Sequence, residues 1–204
     1  MSDILSLIAD LYATDPVACE GMLADAAREL RRLRLQPPLA ETLSRLPVCR
    51  HLPAIFDGAR GGPRAAIAAR FAAYEPHAQW RQNSNYTTSN VGAEFLDNYG
   101  YVELVGRQRR WPSERLAVGF LVLGPGAHYP AHRHPASEVY HVVSGVAEWC
   151  KGDEALATRP PGAAIYHAPN VVHETRVTTE PLLALYCWTG DIAVAARLTS
   201  GCSV

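Results

Sequence analysis

The segment Gly126 to Gly145, GAHYPAHRHPASEVYHVVSG, contains four histidines, one glutamate and two tyrosines and closes on a glycine. In an extended strand, residues two apart share a face, so His132 and His134 can converge on one point inside a sheet structure. Glu138 can join them from the next strand. A further histidine, His173, follows a Pro-Gly turn in RPPGAAIYHAPNVVHE. Neutral imidazoles with one carboxylate suit a first-row divalent ion and leave positions open for a substrate. Six of the eight histidines lie between His128 and His173, which marks this half of the chain as the chemical half.

Its surroundings fit. From Arg115 the chain runs as short apolar or alternating stretches divided by turn residues: RLAVGFLVLGPG, SEVYHVVSGVAEWC, ALATRPPGAAIYHAP, HETRVT and PLLALYCWTG. Such spacing predicts a small antiparallel barrel or sandwich. The first half predicts helices instead. SDILSLIADLYATD has apolar residues at three- and four-residue steps behind an N-cap at Ser2, and DPVACEGMLADAARELRRLRL opens on Asp15 and Pro16. GGPRAAIAARFAAYEP predicts a third helix ending at Pro76. Residues 1–80 are therefore expected as a helical extension and 81–204 as one compact barrel. The polar run RQNSNYTTSN, Arg81 to Asn90, reads either as a lid over the barrel mouth or as a plain surface loop.

Composition removes several classes. A formal charge of -1 and 48% hydrophobic residues give no basic excess for nucleic acid or anionic lipid, and Arg28, Arg31, Arg32 and Arg34 read as a solvated helix end. No apolar run approaches the roughly 18 residues of a membrane span, and acidic residues stand where a signal peptide is basic. The five scattered cysteines, Cys19, Cys49, Cys150, Cys187 and Cys202, read as small buried thiols in a reducing, cytoplasmic setting. Periodicity leaves open whether the helices cover their own barrel or a second subunit, as in a homodimer.

The pattern G-x5-H-x-H-x3-E-x6-G, met here by Gly126, His132, His134, Glu138 and Gly145, resembles the first motif of the cupin superfamily at every defined position. The second cupin motif is looser: Pro160 and Gly162 fit its turn, whereas His167 and Ala168 stand where many members carry prolines. The resemblance implies a mainly β double-stranded β-helix, a jelly-roll barrel over about Arg115 to Asp191, with helices outside and a metal in its mouth. Tyr129, His132, His134, Glu138, Tyr140, His173 and Trp188, with the helical first half, resemble more narrowly the cupin-type dimethylsulfoniopropionate lyases, the DddQ group in particular. That resemblance implies His134, Glu138 and His173 as metal ligands, joined by His132 as the other member of the H-x-H pair. It implies Tyr140 as base and Tyr129 and Trp188 as pocket walls.

The residues support the same chemistry directly. Strand alternation turns Tyr140 to the side of Glu138, and a phenol beside a divalent cation loses its proton more readily. β-Elimination takes a proton α to a carboxylate, which is weakly acidic until a metal neutralises that carboxylate. The leaving sulfonium suits an aromatic wall, for which Trp188, Tyr129 and Tyr166 are available, at about 0.5–2 kcal/mol per cation–π contact. His128 and His167 read as further ligands, as donors behind the ligands or as exposed residues, while Trp111 and Trp149 read as packing and His51, His77 and His141 as surface or core. The ligand set accepts iron, manganese, zinc, cobalt or nickel. Other functions compatible with it are a dioxygenase, a sugar isomerase, a lyase of another β-substituted carboxylate, and a ligand sensor.

Overall fold

A computed structural model of the chain describes residues 3–201 apart from residues 18 and 20. Helix α1 (Ile4–Thr14) starts behind Asp3, whose carboxylate accepts the Ser6 N–H at 2.7 Å. Ser2, the expected cap, lies outside the described residues. Helix α2 (Met22–Leu33) starts behind Gly21 rather than at Asp15–Pro16. The cause is a distant partner: Asp15 Oδ2 lies 3.0 Å from Nε2 of the buried His141, and its other oxygen accepts the Val17 N–H at 2.9 Å. Arg64 stands 3.9 Å from the same carboxylate. Asp15 therefore ends α1 instead of opening α2. On the exposed end of α2, Arg28, Arg31 and Arg32 pair with Asp25, Asp10 and Glu29, in keeping with a solvated surface.

A short helix, α3 (Leu52–Gly58), was not legible in the sequence, since seven residues are too few to show periodicity. Helix α4 (Ala65–Tyr74) matches the third expected helix, and a single tight turn, Glu75–His77, follows it. Across and just beyond the polar segment come strand β1 (Trp80–Arg81) and two more short helices, α5 (Thr88–Val91) and α6 (Ala93–Asp97). Strands β2 (Tyr99–Gly106) and β3 (Trp111–Pro112) come next, so the sheet begins ahead of the expected Arg115. The remaining strands are β4 (Leu116–Leu123), β5 (His128–Arg133), β6 (Ser137–Ser144), β7 (Ala147–Lys151), β8 (Ala157–Arg159), β9 (Ala164–His167), β10 (His173–Val177), β11 (Leu182–Thr189) and β12 (Arg197–Leu198).

Two sheets face each other, one ordered β1-β2-β4-β11-β6-β9 with β3 beside β2, the other β12-β5-β10-β7-β8. This is the jelly-roll barrel of the cupins. All eight residues of β4 are buried because the larger sheet has a core on each face. On its outer face Val118, Phe120, Val139, Leu183 and Leu185 meet Leu5, Ile8, Leu30 and Phe71 of the helices, with Phe71 stacked on Phe120 at 4.0 Å. The helices thus cover the barrel of their own chain. On its inner face, Tyr99, Leu123, Leu182 and Phe95 belong to an apolar cluster between the sheets, and register sets Tyr99, Leu123 and Leu182 in one row. Cys19, Cys49 and Cys187 are free, buried thiols. Cys150 is disulfide-bonded, a departure from the expected thiol that spacing alone does not reveal; Cys202 lies outside the described residues. No described helix is long and apolar enough to cross a membrane.

The Asp15–His141 pair predicts a pH dependence. Burial lowers the His141 pKa below its ordinary value despite the carboxylate, and the imidazole holds Asp15 below the usual carboxylate range. The unfolded chain therefore binds a proton at His141 that the folded chain refuses, so stability falls as pH drops through about 6.5. Asp15 adds its own loss only below about pH 4. Melting temperatures of the metal-free protein are expected to fall between pH 7.5 and 5.5, less steeply for His141→Gln. Equal slopes for the two proteins would remove His141 from the account.

Candidate metal and substrate site

The ligand residues sit at strand ends on one mouth of the barrel. His132 is near the end of β5 and faces His173, the first residue of β10; Glu138 on β6 faces His167, the last residue of β9, and Trp188 on β11. Glu138 is fully buried. Its Oε2 stands 3.2 Å from His134 Nε2, 3.1 Å from His167 Nδ1 and 3.3 Å from His173 Nε2. Its Oε1 accepts the Trp188 indole N–H, and the Trp188 ring stacks on His134 at 4.0 Å.

The far side of each ring fixes its tautomer. His134 Nδ1 is 3.0 Å from the Ala136 carbonyl and His173 Nδ1 is 3.0 Å from the Val171 carbonyl. A carbonyl only accepts, so each Nδ1 carries the hydrogen and each Nε2 presents a lone pair. Two lone pairs then point at a carboxylate oxygen, and His173 Nε2 makes no hydrogen bond although it is close. Such an arrangement suits a positive centre between the groups. One donor atom from each of His134, Glu138 and His173 lies within 4.8 Å of the others, which fits a divalent cation held by two imidazoles and a carboxylate.

The structure redistributes the other expected residues. His132 is buried, with its Nδ1 2.8 Å from the Pro130 carbonyl, a carbonyl contact like those of the other two rings, and its ring stacked on Tyr129 at 4.1 Å; the donors that lie within 4.8 Å of one another are those of His134, Glu138 and His173. His167, whose role as ligand, as donor behind the ligands or as exposed residue the sequence leaves open, comes against Glu138, with its Nε2 buried and unpartnered. Burial, then His173, lowers its pKa to about 3. Tyr166 points the other way. Between inward Ile165 and His167, it packs against the helix-side core, so it does not reach the cavity. His128 is exposed beside Glu174 at 3.6 Å, and Trp149 packs against Tyr140 at 5.0 Å.

Tyr129, Tyr140 and Trp188 all line a cavity of 420 Å³ that opens at this mouth, together with Tyr101, Glu103 and Tyr186. Arg81 to Ser84 form part of its rim, and Asn83 and Asn85 tie that segment to the Ala196 carbonyl at 3.0 and 2.9 Å. The start of the segment thus stands at the barrel mouth. Tyr140 is buried, and desolvation, then the Glu138 charge, pushes its phenol well above the ordinary value. Sequence reasoning missed Tyr101, Glu103 and Tyr186; alternation in NYGYVELVG and LYCWTG was the signal available for them.

Comparison with known proteins identifies relatives of the chain. The family described as dimethylsulfoniopropionate lyase matches residues 23–184. A dimethylsulfoniopropionate lyase DddQ of Ruegeria pomeroyi is 35% identical over 66% of this chain and 66% of its own length, and a Cereibacter sphaeroides protein named as a candidate DddL lyase is 30% identical over 71% and 60%. The matched part thus spans 66% of the first relative's length and 60% of the second's. The crystal structure of DMSP lyase DddQ from Ruegeria pomeroyi superposes with a TM-score of 0.75 at 27% identity, covering 97% of this chain and 95% of that one. A match over most of the chain, on the same barrel, establishes that the protein belongs to the dimethylsulfoniopropionate lyase family.

Proposed function

We propose that the protein is a metal-dependent lyase that splits dimethylsulfoniopropionate into dimethyl sulfide, acrylate and a proton by β-elimination, with Tyr140 as the base. The observation that carries the reading is the convergence of His134 Nε2, His173 Nε2 and Glu138 at the wall of an aromatic cavity that also holds Tyr140. His134, Glu138 and His173 would hold iron, manganese, zinc, cobalt or nickel. A bound divalent ion supplies Lewis-acid neutralisation of the substrate carboxylate, which acidifies the neighbouring Cα–H.

The chain's own residues supply the rest. Tyr140 would act as a base only as its phenolate, with its own proton first given up to solvent and the Glu138 charge offset, since burial and that charge together keep the proton on. Once Tyr140 takes the α-proton, the Cα–H electrons form the double bond, the C–S bond breaks and dimethyl sulfide departs with the sulfur pair. Trp188 and Tyr129 give the sulfonium an aromatic surface, and both rings are anchored. Trp188 donates to Glu138, while Tyr129 is stacked on His132 and accepts from the Tyr86 hydroxyl at 3.3 Å. The test is headspace gas chromatography on metal-reconstituted protein with dimethylsulfoniopropionate, against substrate alone. Dimethyl sulfide release well above that blank is expected. No release with any of the named metals would remove this substrate, and oxygen uptake would then be measured.

A further inference from the structure

Strand register lines up Tyr140 on β6, Tyr186 on β11, Gly119 on β4 and Glu103 on β2 in one row across the larger sheet. Gly119 keeps the row open: a Cβ there would stand 2.7 Å from the Tyr186 hydroxyl and 2.8 Å from the Glu103 Cα. Across that gap the Tyr186 hydroxyl donates to Glu103 Oε2 at 3.1 Å, and Arg109 Nε donates to Oε1 at 2.7 Å. The Glu103 side chain is 17% exposed and lines the same cavity as Tyr140. Burial raises its pKa, and Arg109, the Tyr186 hydroxyl and Arg81 act against that rise.

The charges around the cavity are uneven. Arg81, Arg107 and Arg109 line the half away from the histidines, and Glu103 and Glu138 are the only acids among the described lining residues. Arg107 is paired with Glu114 at 2.7 Å, and with Glu138 committed to the histidines, Glu103 is the lining acid left to offset Arg81 and Arg109. Without it, the outer half would repel an onium group and attract a second carboxylate. We infer that Glu103, held by Arg109 and coupled to the cavity through Tyr186, is the specificity determinant that admits a cationic leaving group and rejects a dianion. Tyr186 is the contact surface. Its hydroxyl hydrogen is committed to Glu103, and the ring lies 6.3 Å from Tyr101 and 6.4 Å from Trp188, within an aromatic wall suited to a soft cation.

This rests on the proposed substrate class, but its test needs no turnover. Isothermal titration calorimetry on metal-loaded protein would compare 3-(trimethylammonio)propionate, its neutral isostere 4,4-dimethylpentanoate, and glutarate. Wild type is expected to prefer the onium ligand. In Glu103→Gln that preference should fall about tenfold, the scale of one nearby charge at a partly exposed site, and glutarate should bind more tightly. Tyr186→Phe, which keeps the ring, should move the preference in the same direction by less and serves if the Gln variant misfolds. Equal losses for the onium and its neutral isostere, or no preference in wild type, would overturn the inference. An intact preference without dimethyl sulfide release would sink the lyase reading and leave this one standing.

Discussion

Exchange of Tyr140 for Phe is expected to lower dimethyl sulfide release about 10²–10⁴-fold, the range that a positioned general base supplies. The loss should fall on kcat, with metal uptake and melting temperature close to wild type. The ring is held by neighbours that do not need the hydroxyl: Trp149 at 5.0 Å, His167 at 5.8 Å and Tyr186 at 6.5 Å. The other interior phenols are poor substitutes. Tyr99, Tyr129 and Tyr186 are all pushed up by burial and, among these three, the Tyr129 hydroxyl receives a hydrogen bond from Tyr86 and the Tyr186 hydroxyl is tied to Glu103. Activity within tenfold of wild type would move the base elsewhere, and His167, with its unpartnered Nε2, would be the next residue to replace.

His173→Ala should abolish both activity and the effect of metal on stability. A ligand that binds only the folded state stabilises it by about 2.7 kcal/mol at a hundredfold excess over Kd. Adding a chelator to loaded wild type should therefore lower its melting temperature measurably. The variant keeps one imidazole and one carboxylate of the set, and its melting temperature should hardly respond to chelator. Elemental analysis gives an independent reading, expected near one metal per wild-type chain and far less for the variant. A chelator-sensitive melting temperature in His173→Ala would mean that the cation sits on other residues.

How far the sequence discloses this molecule depends on the distance over which each cue acts. His132, His134, Glu138 and Tyr140 are arranged by strand alternation and one turn, so a twenty-residue window sufficed to group them. His173 was reachable because its turn follows a recognisable motif. Asp15 misled because its local context is that of a helix cap, while the group that claims it, His141, is 126 residues away. Tyr166 misled for a related reason: its identity suits the pocket, but its place between Ile165 and His167 sends it to the opposite face. Glu103 and Tyr186 were hidden because the sheet order β2-β4-β11-β6 is not the order of the chain.

The apolar row of Tyr99, Leu123 and Leu182 lies inside the barrel, and the helices seal the larger sheet from outside. The cavity thus reaches solvent where Arg81 and the tethered Asn83 stand. On the proposed reaction, acrylate formed inside would meet Arg81, Arg107 and Arg109 among the lining residues, so turnover is expected to slow as acrylate accumulates.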